Sequence, residues 1–260
     1  MPAPRIAVQL KCLNLPFAKA LAKVREMGVT AIEVDGRTGM KPHEMTDTAL
    51  RQVRKLLDDH NLRVAAVEFP TRRGYGTLDE LDRRVEATKA AMKMARSLGA
   101  DLVVNHVGHI PEDLTQGEGQ TLVEVLRDLG HYAQHAGAWL AAETDNEPIT
   151  EMQRLLKLLP EGALMVTLDP ATQVMNGHDP VAAVAALGES IRHVHVHDGV
   201  RELGRRRGIE TELGRGSVDF PALLGALEEQ DYRGFLSIER EPSTDTAVEI
   251  AQAVQYLAAL

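Results

Sequence analysis

An α/β fold, a single-domain barrel of eight strand–helix pairs, is what this sequence predicts, and three observations predict it. The 260 residues match the length of one (β/α)8 barrel, roughly 250 residues. Short apolar runs of strand length alternate with segments of helical periodicity along the whole chain, the grammar of a parallel sheet covered by helices. The later runs each deliver an ionisable side chain at their carboxyl end, where barrels of this kind build their sites. No Pro/Ser-rich linker divides the chain, so residues 1–260 read as one domain.

The elements follow in order. Residues 5–10 form a strand, and 17–27 show helical spacing at Leu21, Val24 and Met27 before Gly28, a favourable residue just past a helix end. Strand two is 30–34. The helix at 46–59 carries the stripe Leu50, Val53, Leu56 and Leu57, with Thr46 or Asp47 as N-cap. Strand three, 62–67, leads to Glu68, an RRGYG loop and a helix at 78–98 ended by Gly99. Strand four, 101–105, exits through NHVGH, which offers His106 and His109, and a helix at 118–135 follows. Strand five, 138–142, delivers Glu143, and the next helix, 149–159, is broken by Pro160. Strand six, 164–168, delivers Asp169, and its helix starts at Asp179 and Pro180, an N-cap followed by proline in the first turn. Strand seven lies in 191–198, a long loop over 199–216 precedes a helix at 220–230, strand eight (235–238) delivers Glu239, and a helix over 244–260 closes the chain.

The formal net charge of -9 argues against a nucleic-acid partner, because a binder of phosphate backbones carries a basic surface. The single cysteine, Cys12, excludes an internal disulfide framework and a cysteine-rich zinc site, and reads as a small buried residue. The start, MPAPRIAVQL, has no apolar stretch of signal-peptide length, and no segment approaches the roughly 20 apolar residues that span a bilayer. The expectation is a soluble, cytoplasmic protein without a membrane partner.

The segment IRHVHVHD, 191–198, holds the most chemistry. In a strand, Val194 and Val196 share one face while His193, His195 and His197 share the other, a greasy face and a face of potential ligands. The same alternation sets Glu143 inward with Ala141 and Trp139, Asp169 inward with Thr167, and Glu239 inward with Ser237. Glu143, Asp169, His195 and Glu239 would then converge on the barrel mouth. Three carboxylates brought together without compensation repel, and a divalent cation resolves the repulsion. Three oxygen donors and one imidazole suit one fairly hard ion, Mn²⁺ or Mg²⁺, with Co²⁺ or Zn²⁺ as alternatives.

At these residues the chain resembles the sugar phosphate isomerase/epimerase group of the xylose isomerase-like TIM barrel superfamily, which also includes inosose dehydratases, hydroxypyruvate isomerase and endonuclease IV. The resemblance runs over essentially the whole chain: ETDNEP with Glu143, TLDPAT with Asp169, H-x-x-D at His195 and Asp198, LGRGSVDF after strand seven, and LSIERE with Glu239. It implies one divalent metal held by Glu143, Asp169, His195 and Glu239, with Glu143 and Glu239 as base and acid on a small carbohydrate. It also implies a homo-oligomer. The activity implied is isomerisation or epimerisation of a ketose, polyol or related sugar through an enediolate. A lyase acting on a keto-sugar or inosose is the alternative, with an endonuclease or a non-catalytic sugar-binding barrel behind it. Many ketose epimerases of the group carry histidine three residues after the strand-six aspartate, where this chain has Thr172. Substrate contacts are expected from Glu68, His106, His109, Thr172 and Arg215, and His193 is expected to support His195. The basic run of Arg201, Arg205, Arg206, Arg207 and Arg215 offers charge for a carboxylate or phosphate.

Overall fold

The computed structural model describes residues 4–202 and 207–260. Arg205 and Arg206 of the basic run lie outside the described residues, as does the side chain of Arg207. Ten strands are described: β1 (Ile6–Gln9), β2 (Ala31–Asp35), β3 (Arg63–Glu68), β4 (Leu102–Asn105), β5 (Trp139–Glu143), β6 (Met165–Leu168), β7 (Ile191–Val196), β8 (Asp198–Glu202), β9 (Arg207–Thr211) and β10 (Phe235–Ile238). All but β8 and β9 close into a parallel barrel in the order β1-β10-β7-β6-β5-β4-β3-β2. The described helices are α1 (Phe17–Glu26), α2 (Asp47–Asp59), α3 (Leu81–Ser97), α4 (Gly117–Ala136), α5 (Ile149–Leu158), α6 (Pro170–Asn176), α7 (Pro180–Leu187), α8 (Phe220–Glu229) and α9 (Thr246–Ala259). The single-domain (β/α)8 architecture is the one the sequence predicts. No helix among the described residues is long and apolar enough to cross a membrane.

Contacts group the chain into two compact units. In the unit made of Glu33–Glu143 and Ile149–Met165, β4 and β5 pair so that Leu102 lies beside Trp139 and Val104 beside Ala141. These residues cluster with Ala66 and Met165, so Ala141 and Trp139 share a packed face, as period two requires. On the outside, α4 comes so near that a side-chain carbon at Gly130 would lie 2.6 Å from Ala163 Cβ. Thr46 caps α2, its hydroxyl accepting the Ala49 N–H at 3.2 Å.

The other unit comprises Met1–Ile32, Thr144–Pro148 and Val166–Leu260. Here β10 joins β1 and β7, with Ala7 beside Ser237, Ser237 beside His195 and Phe235 beside His193. The alternate residues Val8, Val194, Val196, Leu236 and Ile238 are buried on the opposite face. Removing each of them from water stabilises the fold by about 1.5–3 kcal/mol. Cys12 is buried, as its composition context suggests.

Two expectations from sequence need correction. The chain after β6 enters a helix at once: α6 starts at Pro170, and the Asp169 side chain caps it by accepting the Thr172 N–H. That Asp-Pro pair repeats the signal at Asp179 and Pro180, where Asp179 accepts the Val181 N–H. Residues 199–216 are not one long loop, because β8 and β9 pair antiparallel, with Asp198 beside Thr211 and Val200 beside Ile209.

Candidate functional site

The inner face of β7 carries two imidazoles. The His193 and His195 rings meet edge to face, with centroids 5.3 Å apart, and both side chains are buried. His195 Nδ1 lies 3.4 Å from Glu239 Oε2. Its other nitrogen, Nε2, lies 3.4 Å from the side-chain nitrogen of Gln9, the last residue of β1. The same Gln9 amide donates to Glu239 Oε2 at 3.5 Å, while Lys11 reaches Glu239 Oε1 at 3.5 Å. Glu239 is therefore held from both oxygens.

Asp169 stands at the end of β6 and is fully engaged. Its Oδ1 accepts the Thr172 N–H at 2.8 Å, its Oδ2 accepts the Thr172 hydroxyl at 2.6 Å, and His197 Nε2 lies 2.9 Å from Oδ1. Burial alone would lower the His197 pKa, but the charge and hydrogen bond of Asp169 override it and push it up to about 9. Burial likewise opposes the charged form of Asp169, and the facing His197 together with the Thr172 bonds holds its pKa below the usual value. His197 Nδ1 is buried and finds no hydrogen-bond partner among the described residues.

The residue after His197 organises the chain that follows. Asp198, wholly buried, accepts backbone N–H groups from Gly199 (2.8 Å), Gly214 (3.0 Å), Gly216 (2.8 Å) and Val218 (3.1 Å). That explains why the H-x-x-D and G-x-G segments occur together: one carboxylate gathers the returning loop. The hairpin of β8 and β9 lies on α6, with Met175 packed so tightly on Gly199 and Gly208 that neither position has room for a side chain. Arg240, next to Glu239, bonds Glu210 of β9 and Glu249 of α9, each at 2.7 Å. Arg215 is exposed and pairs with Glu212 at 3.0 Å.

In the unit that contains β3, β4 and β5, Glu143 ends its strand buried, with Oε2 3.1 Å from His106 Nε2. The segment that presents His106 is braced: the Thr71 hydroxyl donates to the His106 carbonyl at 2.6 Å, and Asn105 donates to the Phe69 carbonyl. The RRGYG loop is pinned to the same segment, where Tyr75 N–H reaches the Val107 carbonyl at 2.9 Å. Gly74, at φ 59°, touches the Val107 and Gly108 backbone where any side chain would collide. Glu68 ends β3 and is buried, whereas His109 is exposed.

Each unit presents an imidazole beside a carboxylate, donor atoms that a metal ion could use. In one, His195 Nδ1 stands 3.4 Å from Glu239 Oε2; in the other, His106 Nε2 stands 3.1 Å from Glu143 Oε2. Carboxylate oxygens with one imidazole fit a divalent cation by donor chemistry. Asp169, expected from the sequence as a further ligand, bonds His197 and Thr172. Sequence reasoning gave no role to Gln9 or Lys11, and His197 figured only as part of the ligand face. Gln9 and Lys11 flank the end of a short strand, and nothing in their spacing marks them, because their partner Glu239 lies more than 200 residues away.

A family model described as xylose isomerase-like TIM barrel matches residues 21–260. An inosose dehydratase of Geobacillus kaustophilus is 31% identical over 145 residues, which are 49% of this chain and 47% of that protein. One from Clostridium beijerinckii is 23% identical over 246 residues, covering 83% of this chain and 82% of its own length. The match thus spans about half the length of the first relative and most of the second. Among solved structures, a xylose isomerase domain protein from Planctomyces limnophilus has a TM-score of 0.86 at 23% identity, covering 99% of this chain and 96% of that one. A D-tagatose 3-epimerase-like protein reaches 0.78 at 20% identity, covering 98% of each chain. A xylose isomerase-like TIM barrel protein from Mycobacterium smegmatis, in complex with magnesium, reaches 0.79 at 18% identity, covering 99% and 96%. These structures share the fold, and the relatives' names are those of enzymes acting on sugars or inososes. With a closed eight-stranded parallel barrel and a match that runs from residue 21 to residue 260, the chain belongs to the xylose isomerase-like TIM barrel family.

Proposed function

We propose that this chain is a divalent-metal-dependent isomerase or epimerase acting on a ketose, polyol or related sugar through an enediolate. The observation that carries the reading is the imidazole and carboxylate presented together at the ends of β7 and β10, His195 Nδ1 lying 3.4 Å from Glu239 Oε2. In this reading Glu143, Asp169, His195 and Glu239 hold one ion, Mn²⁺ or Mg²⁺. When bound, the ion supplies positive charge that polarises the substrate carbonyl and lowers the barrier to removing the neighbouring proton.

The chain's own residues move the proton. Glu143 and Glu239 come from different strands, so a sugar seated between them meets a carboxylate on each side of its reacting carbon, one to take a proton and one to return it. His106 beside Glu143 and Lys11 beside Glu239 orient each carboxylate. Substrate hydroxyls fall to Glu68, His106, His109 and Thr172, with Arg215 at the rim.

Incubation with ketoses and inososes in D₂O tests this. Isomerisation or epimerisation incorporates deuterium at carbon with no loss of water, and Glu143→Gln and Glu239→Gln should each slow turnover by about a hundredfold or more with metal retained. Deuterium exchange at the wild-type rate in both variants sinks the assignment. A second reading, dehydration of an inosose, is favoured by the names of the two curated relatives. It differs in expelling a hydroxyl from the same enediolate, so a product lighter by one water decides for it.

A further inference from the structure

The chain leaves β1 through a tight 3-10 turn, Leu10–Leu13, in which Leu10, Cys12 and Leu13 are buried and Lys11 is exposed. The turn closes at Asn14, which lies in the left-handed region at φ 48° and donates its N–H to the Lys11 carbonyl at 3.2 Å. Lys11 is thus the residue of this turn that points away from the core, and its side chain, 37% exposed, still reaches Glu239 Oε1 at 3.5 Å. Arg240, the residue after Glu239, is taken up by Glu210 and Glu249 instead.

Glu239 shows its two oxygens to different neighbours. Oε2 lies beside His195 Nδ1 and the Gln9 amide, whereas Oε1 lies beside the Lys11 ammonium. An ion shared by His195 and Glu239 meets the carboxylate on the Oε2 side, so a sugar that presents its reacting carbon to Oε1 brings the oxygen on that carbon to Lys11. Stability does not account for the ammonium, because a partly exposed ion pair contributes little to folding. Nor does metal binding, since a positive charge beside a cation site opposes the ion. An ammonium does serve where negative charge develops on a substrate oxygen, and a donor aimed at such an oxygen is worth about 10²–10³-fold in turnover.

We propose that Lys11 is a catalytic residue of this site: its ammonium donates a hydrogen bond to the oxygen on the reacting carbon of the sugar and holds the negative charge that collects there as the enediolate forms. The proposal rests on the metal-dependent reading above and adds the group that meets this oxygen. Lys11 keeps its protons throughout, since the carbon-bound proton passes only between the substrate and the carboxylates. A methionine at position 11 has similar length but neither charge nor donor, while an arginine keeps both.

The test uses the full-length protein saturated with Mn²⁺ and titrated with glycolohydroxamate, a planar hydroxamate whose adjacent oxygens imitate an enediolate. Lys11→Met should bind this probe at least about tenfold more weakly than wild type, and Lys11→Arg should stay within about threefold. Mn²⁺ itself should bind Lys11→Met about fivefold to tenfold more tightly, because a like charge has left its neighbourhood. A residue that merely held Glu239 in place gives the opposite sign. The melting temperature of both ion-free variants should change little. Hydroxamate affinity of Lys11→Met within about twofold of wild type overturns the assignment, as does weaker Mn²⁺ binding by that variant or a loaded wild type that does not bind the probe. A wild type that takes up no Mn²⁺ overturns the metal reading and this proposal with it, so ion uptake by the wild type tells the two failures apart.

Discussion

Asp198 and Gly216 are in direct contact: the carboxylate accepts the Gly216 N–H at 2.8 Å, and any side chain at 216 would overlap the carboxylate. The contact requires glycine at one end and a short acceptor at the other. Asp198→Ala strands four backbone donors in a buried place, and Gly216→Ala pushes the loop off the carboxylate. Each should cost about 2–4 kcal/mol, since buried donors without partners cost about 1–3 kcal/mol apiece and some will find water. The urea midpoint should fall with an unchanged slope, and a shift below about 0.5 kcal/mol in both variants would contradict the clamp.

Two helical glycines should respond to the same substitution with opposite signs. In α8, a side-chain carbon at Gly225 meets nothing within 4 Å, so Gly225→Ala gains helix propensity and should stabilise by about 0.5–1 kcal/mol. In α4, the same carbon at Gly130 would lie 2.6 Å from Ala163 Cβ and 2.8 Å from its carbonyl oxygen. Gly130→Ala should therefore destabilise by about 1–3 kcal/mol despite the better propensity. Thermal unfolding of the two variants side by side checks the signs.

Hairpin docking on α6 depends on Gly208, where Met175 leaves no room. Gly208→Val should loosen β8 and β9 while the barrel stays folded. Amide hydrogen exchange in 198–211 should speed up at least about tenfold, with protection in β4 and β5 unchanged. Equal loss of protection throughout would mean the hairpin is part of the global folding unit.

If the ion is bound as proposed, it stabilises only the folded chain. Mn²⁺ at 100 times its dissociation constant should add about 2.7 kcal/mol, read as a higher melting temperature that a chelator reverses. Glu239→Ala and Asp169→Ala should remove that increment. A chelator that strips the ion without moving the melting curve would count against it.

Much of this was readable from the chain because a barrel repeats one rule. Period two put Glu143, His195 and Glu239 on one face and Val194, Val196 and Ile238 on the other, and the pairing of Ser237 with His195 bears out that alternation. Helix α6 escaped because Asp169 and Pro170 were read as a strand exit, although Asp-Pro is also a helix start. The hairpin escaped because its glycines look like loop residues; their reason is Met175 on another element. Gln9 and Lys11 escaped for the same cause, since what defines them is Glu239 at the far end of the sequence.

Arg240 gives the hairpin a further significance. Its guanidinium bonds Glu210, Glu249 and the Thr211 carbonyl, and Glu210 also accepts the Glu241 N–H at 3.1 Å. The chain step from Glu239 to Arg240 is thus riveted to a hairpin that lies outside the barrel sheet. The exposed positions of β9 can change without disturbing the carboxylate, provided the rivet at Glu210 is kept. A chain built this way can vary the outer strand while the strand end beside it stays in place.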